Sequence, residues 1–167
     1  AVGFEGADRT LPARRAAERA GDREDVARPT RCPPQAIAFE LADVRDHAGR
    51  DQLLDAVAAL IESGPVVDLR CGDGSLMTRL TARSLDVRGV DERWDAVTIA
   101  QNAGHRAFSR DCLDYLRSLE SDILGCLVAI QLFERLTPDD MAATLHESHR
   151  VLAPSGSLVL GVLDAAF

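Results

Sequence analysis

The chain has 167 residues, 46% of them hydrophobic and 28% charged, with a formal net charge of −8. That length suits one domain with a sizeable core, and the composition is globular rather than disordered. No apolar run approaches the roughly 20 residues of a membrane-spanning helix, and the acidic balance argues against a nucleic-acid backbone as partner, because Lys and Arg must neutralise its phosphates.

Residues 1 to about 35 differ from the rest. Arg9, Arg14, Arg15, Glu18, Arg19, Asp22, Arg23, Glu24, Asp25 and Arg28 crowd a segment with few large apolar residues, closed by Pro33-Pro34. It reads as a charged arm that needs a partner to hold it, leaving residues 36–167 as the folded domain. The chain opens on Ala1 instead of Met, which suggests processing or an artificial boundary. The start lacks the apolar core of a signal peptide. Cys32, Cys71, Cys112 and Cys126 show no zinc-type spacing, so buried free thiols in a reducing, cytoplasmic setting are expected.

Residues 50 to 63 predict an amphipathic helix, with Leu53, Leu54, Val57, Leu60 and Ile61 on one face and Gly64-Pro65 as its stop. His47 lies in the segment before it and is the one candidate for a general base. Next come Val66-Val67-Asp68-Leu69-Arg70-Cys71-Gly72-Asp73-Gly74-Ser75, then Leu76, Met77, Leu80 and Ala82 at helical spacing. The order is buried strand, tight turn, helix: the ligand-binding corner of a doubly wound α/β sheet. Met77 occupies the third glycine position of a dinucleotide fingerprint, and no Lys is present for a P-loop. Asp68 and Asp73 make the turn acidic, which suits a cationic ligand better than a pyrophosphate.

The stretch resembles motif I of the class I S-adenosylmethionine (SAM) methyltransferases, apolar-apolar-Asp-Leu-Gly-Cys-Gly-x-Gly, with Arg70 in place of the first glycine. The resemblance implies a Rossmann-like, doubly wound parallel sheet of about five strands with helices on both faces, and SAM as cofactor. Leu85–Asp91 reads as the second strand. A carboxylate at its end can accept hydrogen bonds from a ribose diol, a role the resemblance gives to Asp91; a surface acid opening the next helix is the alternative. Trp94 could flank the nucleoside or serve as cover.

A third strand fits His105–Phe108. The segment from Ser109 to Leu116 is similar to the family's acidic stretch after strand three, so Asp111 could meet the adenine amine while Cys112 offers its backbone; Asp111 as a plain helix cap is the competing reading. Ile123–Ile130 is a central strand buried on both faces. Gln131 at its end joins Asp68, Arg70, Cys71, Gly72, Gly74, Asp91, Asp111 and Cys112 as the positions expected to bind cofactor.

Arg135 stands where the family often has His. Thr137-Pro138-Asp139-Asp140 starts a helix, with Met141, Leu145 and Leu152 as its apolar face. His146 and His149 are three apart, not the four of a zinc helix, so no metal is expected. Residues 150–160 are similar to the family's Arg-x-Leu-x-Pro-Gly-Gly-x-Leu ending and lead into strand five.

Phe167 follows soon after, without the family's C-terminal antiparallel hairpin. Strand five is thus an expected open edge, to be resolved by a shortened chain, a homodimer or partner chain, or the N-terminal arm. Two functions are compatible with these residues. One is a SAM-dependent methyltransferase acting on oxygen or nitrogen of a small-molecule acceptor, such as a sugar or secondary metabolite, without nucleic-acid or membrane partners. The other is a degenerate methyltransferase fold serving as a partner-binding or regulatory subunit, motivated by Arg70 and Arg135.

Overall fold

The computed structural model describes residues 35–41 and 47–163, and the side chains of residues 48–162. The elements run β1 (Gln35–Leu41), α1 (His47–Leu60), β2 (Val66–Leu69), α2 (Ser75–Ala82), β3 (Val87–Asp91), α3 (Trp94–Asn102), β4 (Arg106–Ser109), α4 (Cys112–Arg117), β5 (Leu124–Ile130), α5 (Pro138–Val151) and β6 (Leu152–Leu163). They form one sheet in the order β1-β6-β5-β2-β3-β4, with every pairing parallel. The α/β doubly wound architecture is as the sequence implies, and strands β2 to β6 fall where the sequence places its five strands.

A parallel sheet must be covered on both faces, and the strands alternate accordingly. Val66, Val87, Ala107, Cys126, Val128 and Val159 pack under α1, α2 and α3 in one buried cluster. Their neighbours Val67, Leu69, Val90, Leu127, Ala129 and Leu158 pack under α4 and α5 in a second. β2 is buried along its whole length. Each fully buried Leu or Val adds about 1.5–3 kcal/mol, so the β2–β5 pair is the rigid centre from which the loops at the strand ends project. No helix among the described residues is long and apolar enough to cross a membrane.

Four expectations need correction. The sheet has six strands: β1 pairs with β6 from Gln35 opposite Ser157 to Leu41 opposite Leu163. The edge expected to be open on strand five is therefore covered by β1, whose partner lies so far along the chain that no local pattern announces it. The remainder of the expected arm, residues 1–34 with Cys32, lies outside the described residues. The first helix begins at His47, so His47 opens it rather than preceding it; its side chain also lies outside the described residues.

The third strand is Arg106–Ser109, one residue later than expected, because His105 faces α2. Finally, α5 buries Thr144, Ser148 and Val151, leaves Leu145 exposed, and ends before Leu152, which starts β6. Ser148 can occupy that interior face because its hydroxyl donates to the Thr144 carbonyl at 2.7 Å. Its N-terminus is as read: Thr137 caps it, accepting from the Asp140 N–H, with Pro138 in the first turn.

Candidate functional site

The site lies outside the carboxyl ends of β2 and β5. The chain runs from β2 to β3 on one side, and β5 lies on the other, so this is where the strand order reverses. Such a switch point opens a crevice for ligands. The turn after β2 is built from left-handed residues: Arg70 at φ 65°, Gly72 at 56° and Gly74 at 82°. It is tied to the next strand, with the Arg70 and Cys71 N–H groups both donating to the Val90 carbonyl. Gly74 caps α2, and a Cβ there would come within 2.8 Å of His105 Cδ2. Glycine answers both the backbone angle and the close approach.

Two buried acids end the neighbouring strands, and they differ. Asp91, 2% exposed, accepts the Gly72 N–H on Oδ2 and the Arg93 N–H on Oδ1, each at 2.9 Å, with Arg93 Nε 3.5 Å away. Asp68, 3% exposed, has no hydrogen-bond donor among the described residues. Burial pushes the Asp68 carboxyl up to about 8, and the negative charges of Asp91 and Asp73 add to the effect. Asp68 is thus mostly protonated at neutral pH. Partial burial opposes ionisation of Asp73, but the Ser75 hydroxyl and N–H that it accepts, with Arg50 at 3.6 Å, outweigh that and hold it below the ordinary carboxylate value.

These groups surround a cavity of about 370 Å³, within the range of small-molecule sites. Asp68, Arg70, Cys71, Gly72, Asp91 and Gln131 line it, joined by Arg50, Leu53 and Leu54 from α1, Ser75 and Leu76 from α2, and Arg93 and Ile130. Arg70 crosses the crevice, its Nη1 donating to the Gln131 carbonyl at 2.6 Å. Gln131 is itself left-handed, at φ 57°, and its N–H donates to Gly161 of β6.

Six of the nine expected cofactor positions therefore come together. Gly74 sits just behind the cavity as the α2 cap. Asp111 and Cys112 do not line it: Asp111 caps α4, accepting the Asp114 N–H at 2.7 Å, and Cys112 is buried with its thiol pushed up to about 12 by burial. Cys71, Cys112 and Cys126 are free, buried thiols. Trp94 is 72% exposed at the start of α3. His146 and His149 face solvent, and among the described residues no cluster could hold a metal ion.

Sequence reasoning missed Arg50 and Arg93. Arg50 stands three residues before Leu53 on the same side of α1, a spacing that could have pointed it at the turn. Nothing local marked Arg93.

A doubly wound parallel sheet with an acidic, glycine-bearing turn at its switch point is a framework on which nucleoside-type ligands can be bound. The methyltransferase domain family matches residues 66–156, more than half of the chain, and the chain belongs to that family. It is 27% identical over 139 residues to "Putative methyltransferase YqeM" of Bacillus subtilis, covering 77% of this chain and 54% of that protein. It is 29% identical over 103 residues to ribosomal RNA large subunit methyltransferase G of Magnetococcus marinus, covering 56% of this chain and 28% of that one. The chain thus spans about half the first relative's length and less of the second. Among solved structures, a SAM-dependent methyltransferase from Archaeoglobus fulgidus has the same fold, with a TM-score of 0.56 at 19% identity over 62% of this chain and 48% of that one.

Proposed function

We propose that this chain is the SAM-binding domain of a methyltransferase that modifies oxygen or nitrogen of a small-molecule acceptor, a sugar or secondary metabolite being the acceptor class that the resemblance of its motifs implies, and that it works in the cytoplasm. The observation that carries the proposal is Asp68, buried and without a donor, on the wall of a cavity at the switch point of a methyltransferase-family sheet. Such a group calls for a cationic or donor-bearing ligand. SAM has both a sulfonium and an ammonium, and it would supply the methyl group in an activated form.

The chain's own residues bind and orient. Asp68, ionised by a nearby cation, would hold the positive part of the ligand. Asp91 uses two of its roughly four lone-pair positions on the Gly72 and Arg93 N–H groups and has room to accept from a ribose hydroxyl. Leu53, Leu54 and Leu76 exclude water from one side of the cavity, and positioning of this kind supplies much of the rate of a displacement. The net charge of −8 favours a small acceptor over RNA, although one relative is a ribosomal RNA enzyme. His47, at the start of α1, is the proposed base for a hydroxyl acceptor.

Calorimetric titration with SAM and with its demethylated product, S-adenosylhomocysteine, tests the reading. Micromolar binding of either is expected. Absence of heat from a folded sample contradicts it and favours the degenerate, partner-binding alternative, in which Arg70 bridged to Gln131 closes the site.

A further inference from the structure

Arg70 is the feature of the site that motif I does not account for. It follows β2 directly, in a left-handed conformation (φ 65°) that costs a non-glycine residue about 1 kcal/mol or more. That conformation sends its side chain over the switch point to the Gln131 carbonyl, 2.6 Å away. The guanidinium is therefore held in place above the crevice rather than swung into solvent.

Its charge is not met there. Arg50, Arg79, Arg93, Arg106, Arg117 and Arg150 each hold a carboxylate at 3.6 Å or closer. Arg70 holds none among the described residues, as Arg83, Arg88, Arg110 and Arg135 also hold none, but of these five only Arg70 lines the cavity; its one side-chain partner is a neutral carbonyl, which takes one of five N–H donors. Burial disfavours its charge most and the cations of Arg135 and Arg93 add to that, while Asp91 and Glu134 favour it from a distance without closing an ion pair. A partly buried cation in this position has no anion in direct contact among the described residues. Two residues back, within β2, the Asp68 carboxyl accepts no hydrogen bond among the described residues. The cavity between them carries an unmatched cation at one end and an unmatched acid at the other, and the two are not paired with each other.

We propose that Arg70 selects ligands that carry a carboxylate, pairing with the aminoacyl carboxylate of SAM while Asp68 faces the cationic part. This assignment rests on the SAM reading above and adds a specificity determinant to it. The planar fork of an arginine suits a carboxylate bidentately, and the Gln131 carbonyl fixes the fork in advance.

The test compares SAM with decarboxylated SAM, the same sulfonium nucleoside without the carboxylate, against wild type, Arg70→Gln and Arg70→Lys by calorimetry. Wild type is expected to prefer SAM by about 10- to 100-fold, the value of a charge-assisted hydrogen-bonded pair. Arg70→Gln should erase that preference by weakening SAM alone, leaving decarboxylated SAM within about threefold, and Arg70→Lys should restore part of it. Equal affinity of wild type for both ligands overturns the proposal and leaves the SAM site standing. Tighter SAM binding by Arg70→Gln also overturns it, since Arg70 is then an obstruction. If wild type binds neither ligand, the functional reading fails and this one with it. Should Arg70→Gln not fold, the preference of wild type decides alone.

Discussion

Two corners of the same crevice invite comparison. At the end of β3, Asp91 is buried and already partnered before a ligand arrives: two backbone N–H groups and Arg93 converge on it. At the end of β2, one strand over, Asp68 is buried and Arg70 half-buried, and neither closes an ion pair among the described residues. The first corner is architecture. Its carboxylate organises the turn that carries Gly72, so its charge is stabilised before any ligand arrives. The second corner is unfinished: both side chains open onto the cavity, where a ligand could supply the partners that the protein does not. The difference separates residues that hold the site together from residues that await a ligand.

Asp91→Ala should break this contrast most strongly. It strands the Gly72 and Arg93 N–H groups and frees the turn, with an expected loss of about 2–4 kcal/mol, readable as a fall in the thermal midpoint. Asp68→Asn, at the unfinished corner, should not destabilise the fold and should be more stable than wild type at pH 6 and above, because wild type must take up a proton to bury a neutral carboxyl and the amide need not.

The pH dependence sharpens the point. Asp68 has a folded value raised to about 8 from 3.8, so the folded state holds a proton that the unfolded chain gives up. The stability tied to that proton is complete below 3.8 and is lost as pH rises toward 8, at a limiting slope of about 1.4 kcal/mol per pH unit. Melting curves of wild type from pH 6 to 9 should therefore fall, and those of Asp68→Asn should fall less. If the two run parallel, Asp68 is not the group responsible.

The smallest expected effect concerns Asp111. As a helix cap it should cost about 1 kcal/mol when replaced by Ala, with SAM affinity unchanged within about twofold. A loss of affinity well beyond that would return Asp111 to the adenine contact that its place after β4 suggested.

Much of this was legible in the sequence. The β-branched run Val66-Val67, the apolar run from Ile123 and the glycine turn each carry their signal locally, and they fix the central strands and the switch point between them. β1 was not legible, because Gln35–Leu41 follows a charged, proline-closed segment and gains its identity from pairing with residues 157–163. The α5 face was misread for a related reason: Thr144 and Ser148 look like surface residues, and for Ser148 it is a hydrogen bond within the helix that allows burial. In the site, the acids could be named from motif and spacing, but their difference could not. Whether Asp68 or Asp91 finds a donor depends on the backbone of a turn, and the direction of Arg70 depends on a left-handed angle that periodicity does not encode.

The most direct test of the account is the proton balance of SAM binding. Titrations at pH 7 in buffers of different ionisation enthalpy give the number of protons released. If the ligand's cation completes the corner at Asp68, wild type should release close to one proton more than Asp68→Asn, because binding ionises a carboxyl that is protonated in the free protein. Equal proton release by the two, with SAM bound by both, would contradict that account and place the cation away from Asp68.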